Sequence, residues 1–274
     1  MLSSLLLLVS LIATAPGFQA PESVFWDEAS RTWFVSNVVG KENEKDGNGW
    51  ISRLDASGRI RKARWVEGLD SPHGVRVHAG TLYAADVDRI VVIDVAKARI
   101  RDRISAPGAK FLNDVAVAAS GDVYVSDTLG DAIYRCRSAC EIFVKSDSLQ
   151  GPNGLLVDGD RLIVATWGPI TDPITFATRT PGRLISVDLK TKEIAPLGEG
   201  KPIGNLDGIE KDGADYLVTD FIAGKIFRVS RSGAATALKS GFAESADLGW
   251  DPARRIIAVP EMGGGTVKFF RLPR

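Results

Sequence analysis

The chain has 274 residues, with 34 Lys+Arg against 34 Asp+Glu and a formal net charge of zero. It therefore lacks the basic footprint of a nucleic-acid binder and the cationic face of a membrane-surface protein. Two cysteines (Cys136, Cys140) and two histidines (His73, His78) exclude a four-cysteine zinc site or a three-histidine site within one copy, so any metal must rely mostly on oxygen ligands.

In chain order, residues 5–15 form an apolar run broken only by Ser10 and Thr14. A membrane span needs about 20 residues, so the run reads as the hydrophobic part of a secretory signal peptide covering residues 1–20. That reading places the mature protein, residues 21–274, in the periplasm or outside the cell, with no stable membrane span after processing. It has two defects: no Lys or Arg precedes the run, and the cleavage points after Ala15 and Ala20 are both followed by proline.

From there a period dominates. A short apolar strand ending in a small or acidic residue appears as Phe34-Val35-Ser36-Asn37, Tyr83-Ala84-Ala85-Asp86 and Tyr124-Val125-Ser126-Asp127. It returns as Ile163-Val164-Ala165-Thr166, Leu217-Val218-Thr219-Asp220 and Ile257-Ala258-Val259-Pro260. A polar marker precedes each strand, at Glu22, His73, Asn113, Asn153, Asp207 and Asp247, the last five being 40, 40, 54 and 40 residues apart. Between markers lie β-branched and aromatic runs separated by turn pairs such as Ser57-Gly58, Ser120-Gly121 and Asp212-Gly213. No segment keeps a 3.6-residue apolar period. Six units of about 40 residues, each with four strand-like runs, predict an all-β, six-bladed β-propeller.

Two units are lengthened, by residues 40–49 and by residues 168–182. Loops this long inside a compact repeat are usually functional or disordered. The second, which carries Ile170, Ile174 and Phe176 next to Trp167, is expected to form a partial lid over one end of the ring. Cys136 and Cys140 flank a three-residue connection in a hairpin, where they could bridge or remain thiols. Residues 13–18 also resemble residues 237–242, an outer strand of the fifth unit. By that analogy residues near 8–16 would pair with residues 265–272 and close the ring, which conflicts with their removal as a signal.

In a propeller the equivalent ends of the inner strands converge on the central channel. The six polar markers would therefore meet there, and polar groups gathered in a channel are costly unless something binds them. Calcium takes about six to eight oxygens from carboxylates, amide carbonyls and water, which suits this mixture. Magnesium and manganese are also compatible, and zinc less so. The bland alternative is that Asn153-Gly154 and Asp207-Gly208 are turn pairs whose side chains bond nearby backbone.

The segments Pro21-Glu22-Ser23-Val24-Phe25-Trp26-Asp27, Asn113-Asp114, Gly151-Pro152-Asn153-Gly154 and Gly204-Asn205-Leu206-Asp207-Gly208 resemble the senescence-marker-protein/gluconolactonase family. The resemblance covers nearly all the chain after residue 20. It implies a six-bladed propeller holding one divalent metal on Glu22, Asn153 and Asp207, with Asn113 on the substrate side and Asp207 handling the proton. Where the family's sugar-lactone hydrolases often have an arginine, this chain has Phe111, with Lys110 beside it. Ser71-Pro72-His73-Gly74 is similar to a histidine-bearing segment of the paraoxonases, which makes His73 a second candidate base and, with Asn113 and Trp167, a substrate contact.

The implied chemistry is metal-assisted hydrolysis of a small lactone or ester by a monomer. No Gly-x-Ser-x-Gly elbow, phosphate loop or dinucleotide fingerprint offers another route. The competing expectation is a non-catalytic exported propeller that uses its channel or rim as a binding module.

Overall fold

A computed structural model describes residues 9–273. Six four-stranded antiparallel sheets form a six-bladed β-propeller. Blade 1 comprises Pro21–Asp27, Thr32–Asn37, Gly49–Asp55 and Ile60–Leu69, from the channel outwards. Blade 2 is Pro72–His78, Thr81–Asp86, Arg89–Asp94 and Arg99–Ser105, and blade 3 is Leu112–Val117, Val123–Asp127, Ala132–Cys136 and Cys140–Lys145. Blade 4 is Pro152–Asp158, Arg161–Thr166, Leu184–Asp188 and Ile194–Pro196, and blade 5 is Leu206–Asp212, Asp215–Asp220, Lys225–Val229 and Ala235–Ser240. Blade 6 takes Gly249–Asp251, Ile256–Glu261 and Thr266–Arg271 from the C-terminal end of the chain and its outermost strand, Ser10–Pro16, from the N-terminal end.

That outer strand lies antiparallel to Thr266–Arg271, with Ser10 opposite Arg271 and Pro16 opposite Thr266. Val9, Ala15 and Phe18 are buried as part of the joint. Residues 1–8, which hold the start of the apolar run, lie outside the described residues. No helix among the described residues is long and apolar enough to cross a membrane.

The core is divided rather than central. Six separate apolar clusters each lie between two neighbouring blades, for example Phe34, Ile51, Val75 and Leu82 between blades 1 and 2, and Trp33, Val24, Phe269 and Ala15 between blades 6 and 1. Alternating strand residues face these seams, and their burial holds the ring together.

Cys136 and Cys140, opposite each other in the outer hairpin of blade 3, are joined in a disulfide.

The second-strand marker has a structural purpose that its composition alone does not reveal. In five blades the pairing of the first two strands slips by one residue at the same place, between Pro21 and Val24, Pro72 and Val75, Leu112 and Val115, Pro152 and Leu155, and Leu206 and Ile209. A bulge re-aims the side chains it carries, and these five carry Glu22, His73, Asn113, Asn153 and Asp207. Hydroxyls on the second strand satisfy amides freed by the slip. Ser36 accepts from Ser23 N, Ser126 from Asp114 N and Thr219 from Gly208 N, each at 2.9 Å.

The polar residue ending the second strand then holds the backbone entering the blade. Asn37 accepts from Gln19 N, Asp86 from Asp70 N and Ser71 N, and Asp127 from Lys110 N and Phe111 N.

Blade 6 departs from this register. Ser245 pairs with Glu261 and Gly249 with Ala258, so both strands gain one residue relative to the other blades. Glu261, which accepts from Ala243 N at 3.0 Å, is the true counterpart of Asp220. The expected marker ending at Pro260 is therefore one residue short.

Candidate active site

Glu22, His73, Asn113, Asn153 and Asp207 line one cavity of about 260 Å³ at the mouth of the channel. All five are at least nine-tenths buried. Each presents an unpartnered polar atom: Glu22 Oε2, His73 Nε2, Asn113 Oδ1, Asn153 Oδ1 and Asp207 Oδ1. Orphaned buried polar atoms are rare in folded proteins and expensive. Five around one space, from five blades, make this cavity the candidate site.

Asp247 does not join them. The extra residue in blade 6 sets it behind the cavity wall, where it accepts a 2.6 Å hydrogen bond from Ser23 Oγ. The expectation of six converging markers is corrected to five.

The turn-pair alternative is excluded for Asn153-Gly154 and Asp207-Gly208. Both glycines lie in inner strands at the bulges, and neither has a positive φ. A Cβ on Gly154 would lie 2.1 Å from the Asp207 carbonyl oxygen, and one on Gly208 would lie 2.4 Å from Asp247 Oδ1. Glycine is required here so that adjacent inner strands can approach around the channel.

The electrostatics are lopsided. Burial, then the neighbouring Asp207 and Asp247 carboxylates, pushes the Glu22 carboxyl well above its ordinary range. Burial, then Asp114 and Glu42, does the same to Asp207, while the adjacent Asn153 side chain acts in the opposite direction. Asp247 is likewise raised, by burial first and Asp114 next.

Beneath this acid cluster sits one buried cation, Arg76. Its Nε donates to Val115 O at 3.0 Å, Nη1 bonds Glu210, Nη2 lies 3.5 Å from Asp114, and the guanidinium stacks 5.0 Å over Phe25. One guanidinium against this many carboxylates leaves an excess of negative charge that only protons or a bound cation can offset.

Among the described residues, no group of three or more His, Cys, Asp or Glu side chains is placed to chelate an ion. The set here is of a different kind, two carboxylates and amide oxygens, all hard donors. The orphaned oxygens of Glu22, Asn153 and Asp207 fit a divalent cation on both charge and donor type.

His73 is fixed by its backbone. Its Nδ1 lies 2.9 Å from Ser71 O. A carbonyl can only accept, so Nδ1 carries the proton and Nε2 presents a bare lone pair. Burial lowers its pKa to about 4, so the ring is neutral in ordinary buffers. His78, given no role from sequence, lies instead on a separate cavity with Arg76 and Glu210.

Apart from Phe111, which directly precedes the first strand of blade 3, the rest of the wall comes from the connections between second and third strands. The insertion at 168–182 contains a small hairpin, Ile170–Asp172 with Ala177–Thr178, and Ile174, Thr175 and Phe176 from it line the cavity beside Trp167. The other insertion contributes Glu42, and the shorter connections contribute Thr128, Phe221 and Met262. Sequence reasoning missed Glu42, Phe221 and Met262. Their only signal is position, one to five residues beyond the Asn37, Asp220 and Glu261 strand ends.

No family model matches the sequence, and no curated protein matches it. Solved structures with the same fold do. A gluconolactonase from Xanthomonas campestris superposes with a TM-score of 0.69 at 16% identity, covering 96% of this chain and 92% of that one. A streptogramin B lyase gives 0.66 at 13% identity, covering 97% and 98%. A catalytically inactive histidine-to-alanine variant of virginiamycin B lyase from Staphylococcus aureus, solved with quinupristin, gives 0.61 at 14% identity, covering 95% and 99%. The chain is thus similar in fold, over nearly its whole length, to a gluconolactonase and to two lyases.

Proposed function

We propose that this protein hydrolyses a small lactone or ester at the channel mouth, with a divalent cation, calcium fitting best, held by Glu22, Asn153 and Asp207. The observation that carries the reading is the convergence of five unpartnered buried polar atoms from five blades on one cavity. Similarity of fold to a gluconolactonase supports it, and fold alone does not fix the reaction.

When bound, such a cation supplies Lewis acidity toward the substrate carbonyl oxygen and the charge that develops on it. The protein's own groups do the rest. His73 Nε2 takes a proton from the attacking water and returns it to the leaving alkoxide oxygen as the acyl C–O bond breaks, giving a hydroxy acid or an acid plus alcohol. Asn113 offers both a donor and an acceptor for orienting the substrate. Asp207, the other candidate base, is better placed as a ligand, because a carboxylate that binds a cation is a weaker proton acceptor.

The lyase neighbours motivate one competing reading, ring opening by elimination, in which a base at the His73 position would remove a carbon-bound proton. The test is turnover of a panel of lactones and aryl esters with and without chelator, run in ¹⁸O-labelled water. Hydrolysis puts one label in the product acid and elimination puts none. Absence of turnover on every substrate despite stoichiometric calcium would remove the proposal and leave the binding-module alternative.

A further inference from the structure

We infer that the substrate is an apolar one, a lactone or ester bearing an alkyl or aryl group, and that polyhydroxylated lactones are rejected. The inference rests on the reading above for the chemistry but on different residues for the specificity.

An arc of four aromatic side chains runs from the polar floor to the rim. Phe111 meets His73 edge-on with ring centroids 4.8 Å apart, and Phe176 meets Phe111 at 5.3 Å. Trp167 lies 6.1 Å from Phe176 and 5.6 Å from Phe221. Beyond them the rim carries Ile174 and Ile222, which are 88% and 66% exposed, so the apolar path continues outward.

The hydrogen-bond donors of this wall are already committed. Trp167 Nε1 donates to Phe176 O at 2.8 Å, Thr128 Oγ1 to Pro152 O at 2.8 Å and Thr175 Oγ1 to Asp172 Oδ2 at 2.8 Å. Among the described residues no lysine or arginine lines the cavity, and Phe111 adds a ring with no hydrogen-bonding group. Glu42 brings a carboxylate to the wall, and the Thr128 and Thr175 hydroxyls, whose protons are committed, can only accept. A substrate hydroxyl buried against the aromatic arc, away from these acceptors and from the polar floor, would go unpaired, at a cost of about 1–3 kcal/mol, equivalent to roughly 5- to 150-fold in affinity. A buried methylene, by contrast, gains about fourfold.

The experiment measures binding and turnover separately. Calorimetry on the calcium-loaded protein uses non-hydrolysable lactams with 4-, 6- and 8-carbon alkyl tails against a polyhydroxylated lactam. kcat/KM is then compared between the matching lactones. The expected result is affinity rising about fourfold per methylene until the cavity fills, and a preference of at least 100-fold for the alkyl lactone. Phe176 stands outside the six blades, so Phe176→Ser should leave the fold intact, checked by circular dichroism, and should cut the step per methylene below twofold. Phe221→Ser provides the same test from blade 5.

Stepwise binding without turnover of any lactone would uphold the apolar site and defeat the hydrolase reading. Turnover with a preference for the polyhydroxylated lactone would do the reverse. Failure of every lactam to bind, or flat affinity along the tail series, overturns the inference.

Discussion

Ser23 and Asp247, 224 residues apart in the chain, are joined by a 2.6 Å hydrogen bond where the first and last blades meet. Two backbone bonds flank it, Asp247 N to Glu22 O at 2.9 Å and Val24 N to Asp247 O at 3.1 Å. The inner edge of the joint therefore holds the backbone of Glu22, a candidate ligand. The outer edge is held by Ser10–Pro16, so loss of that strand should be felt at the site.

Removal of residues 1–16 is expected to lower stability by at least about 3 kcal/mol, because it exposes the surface that covers Val9 and Ala15 and frees the edge of Thr266–Arg271. The melting temperature should fall by roughly 6–12 °C, and calcium affinity should weaken with it. Thermal unfolding of the truncated and full chains checks this. Equal melting temperatures would show that the outer strand is dispensable. Intact-mass measurement on protein from an exporting host would then show whether cleavage at Ala15 or Ala20 occurs.

The acid excess predicts a crossing of signs. Without a cation, Asp207→Asn and Glu22→Gln relieve repulsion between buried carboxylates and should leave the protein as stable as the parent at pH 8, or more so. With calcium at about 100 times its dissociation constant, the parent should gain about 2.7 kcal/mol and the variants little. Melting curves with chelator and with calcium provide the comparison. A calcium response that survives both substitutions would place the ion elsewhere.

His73 supplies a pH dependence. Its pKa is about 4 when folded against 6.5 for a free histidine, so the unfolded chain takes up the proton first as pH falls. Stability from keeping the ring neutral is complete above about 6.5 and is lost through the window down to about 4. The full effect is about 3 kcal/mol. The stability difference between parent and His73→Gln should shrink by that amount between pH 7 and pH 4. A constant difference across the window would contradict the buried neutral imidazole.

The Cys136–Cys140 disulfide closes a very small loop, for which chain entropy allows at most about 2 kcal/mol. Replacing both cysteines with serine should lower the melting temperature by a few degrees without changing turnover. A collapse of folding in the double variant would mean that the bridge does more than restrain its own hairpin.

The propeller was legible because two markers repeat in step, and the structure explains why they must. Ser36, Ser126 and Thr219 satisfy bulged amides that place the next blade-facing groups, so strand and site signals are coupled rather than coincident. Asp247 misled for a physical reason. Its spacing of 40 residues from Asp207 hides an added residue in each of the two strands of blade 6, and a count along the chain cannot register a change of pairing. Glu42 and Phe221 were illegible because loop residues carry no periodic signature, and their place at the mouth depends on closure of the ring. Phe111 was readable as a departure from a motif, but its contact with Phe176 across an insertion was not.

The outer strand of blade 6 also determines how the ring responds to load. Ser10 sits opposite Arg271, so tension applied between the two ends of the chain would peel the seam open one rung at a time rather than shear all its rungs together. A domain tethered at both termini would yield there first, at low force, with the remaining blades still closed.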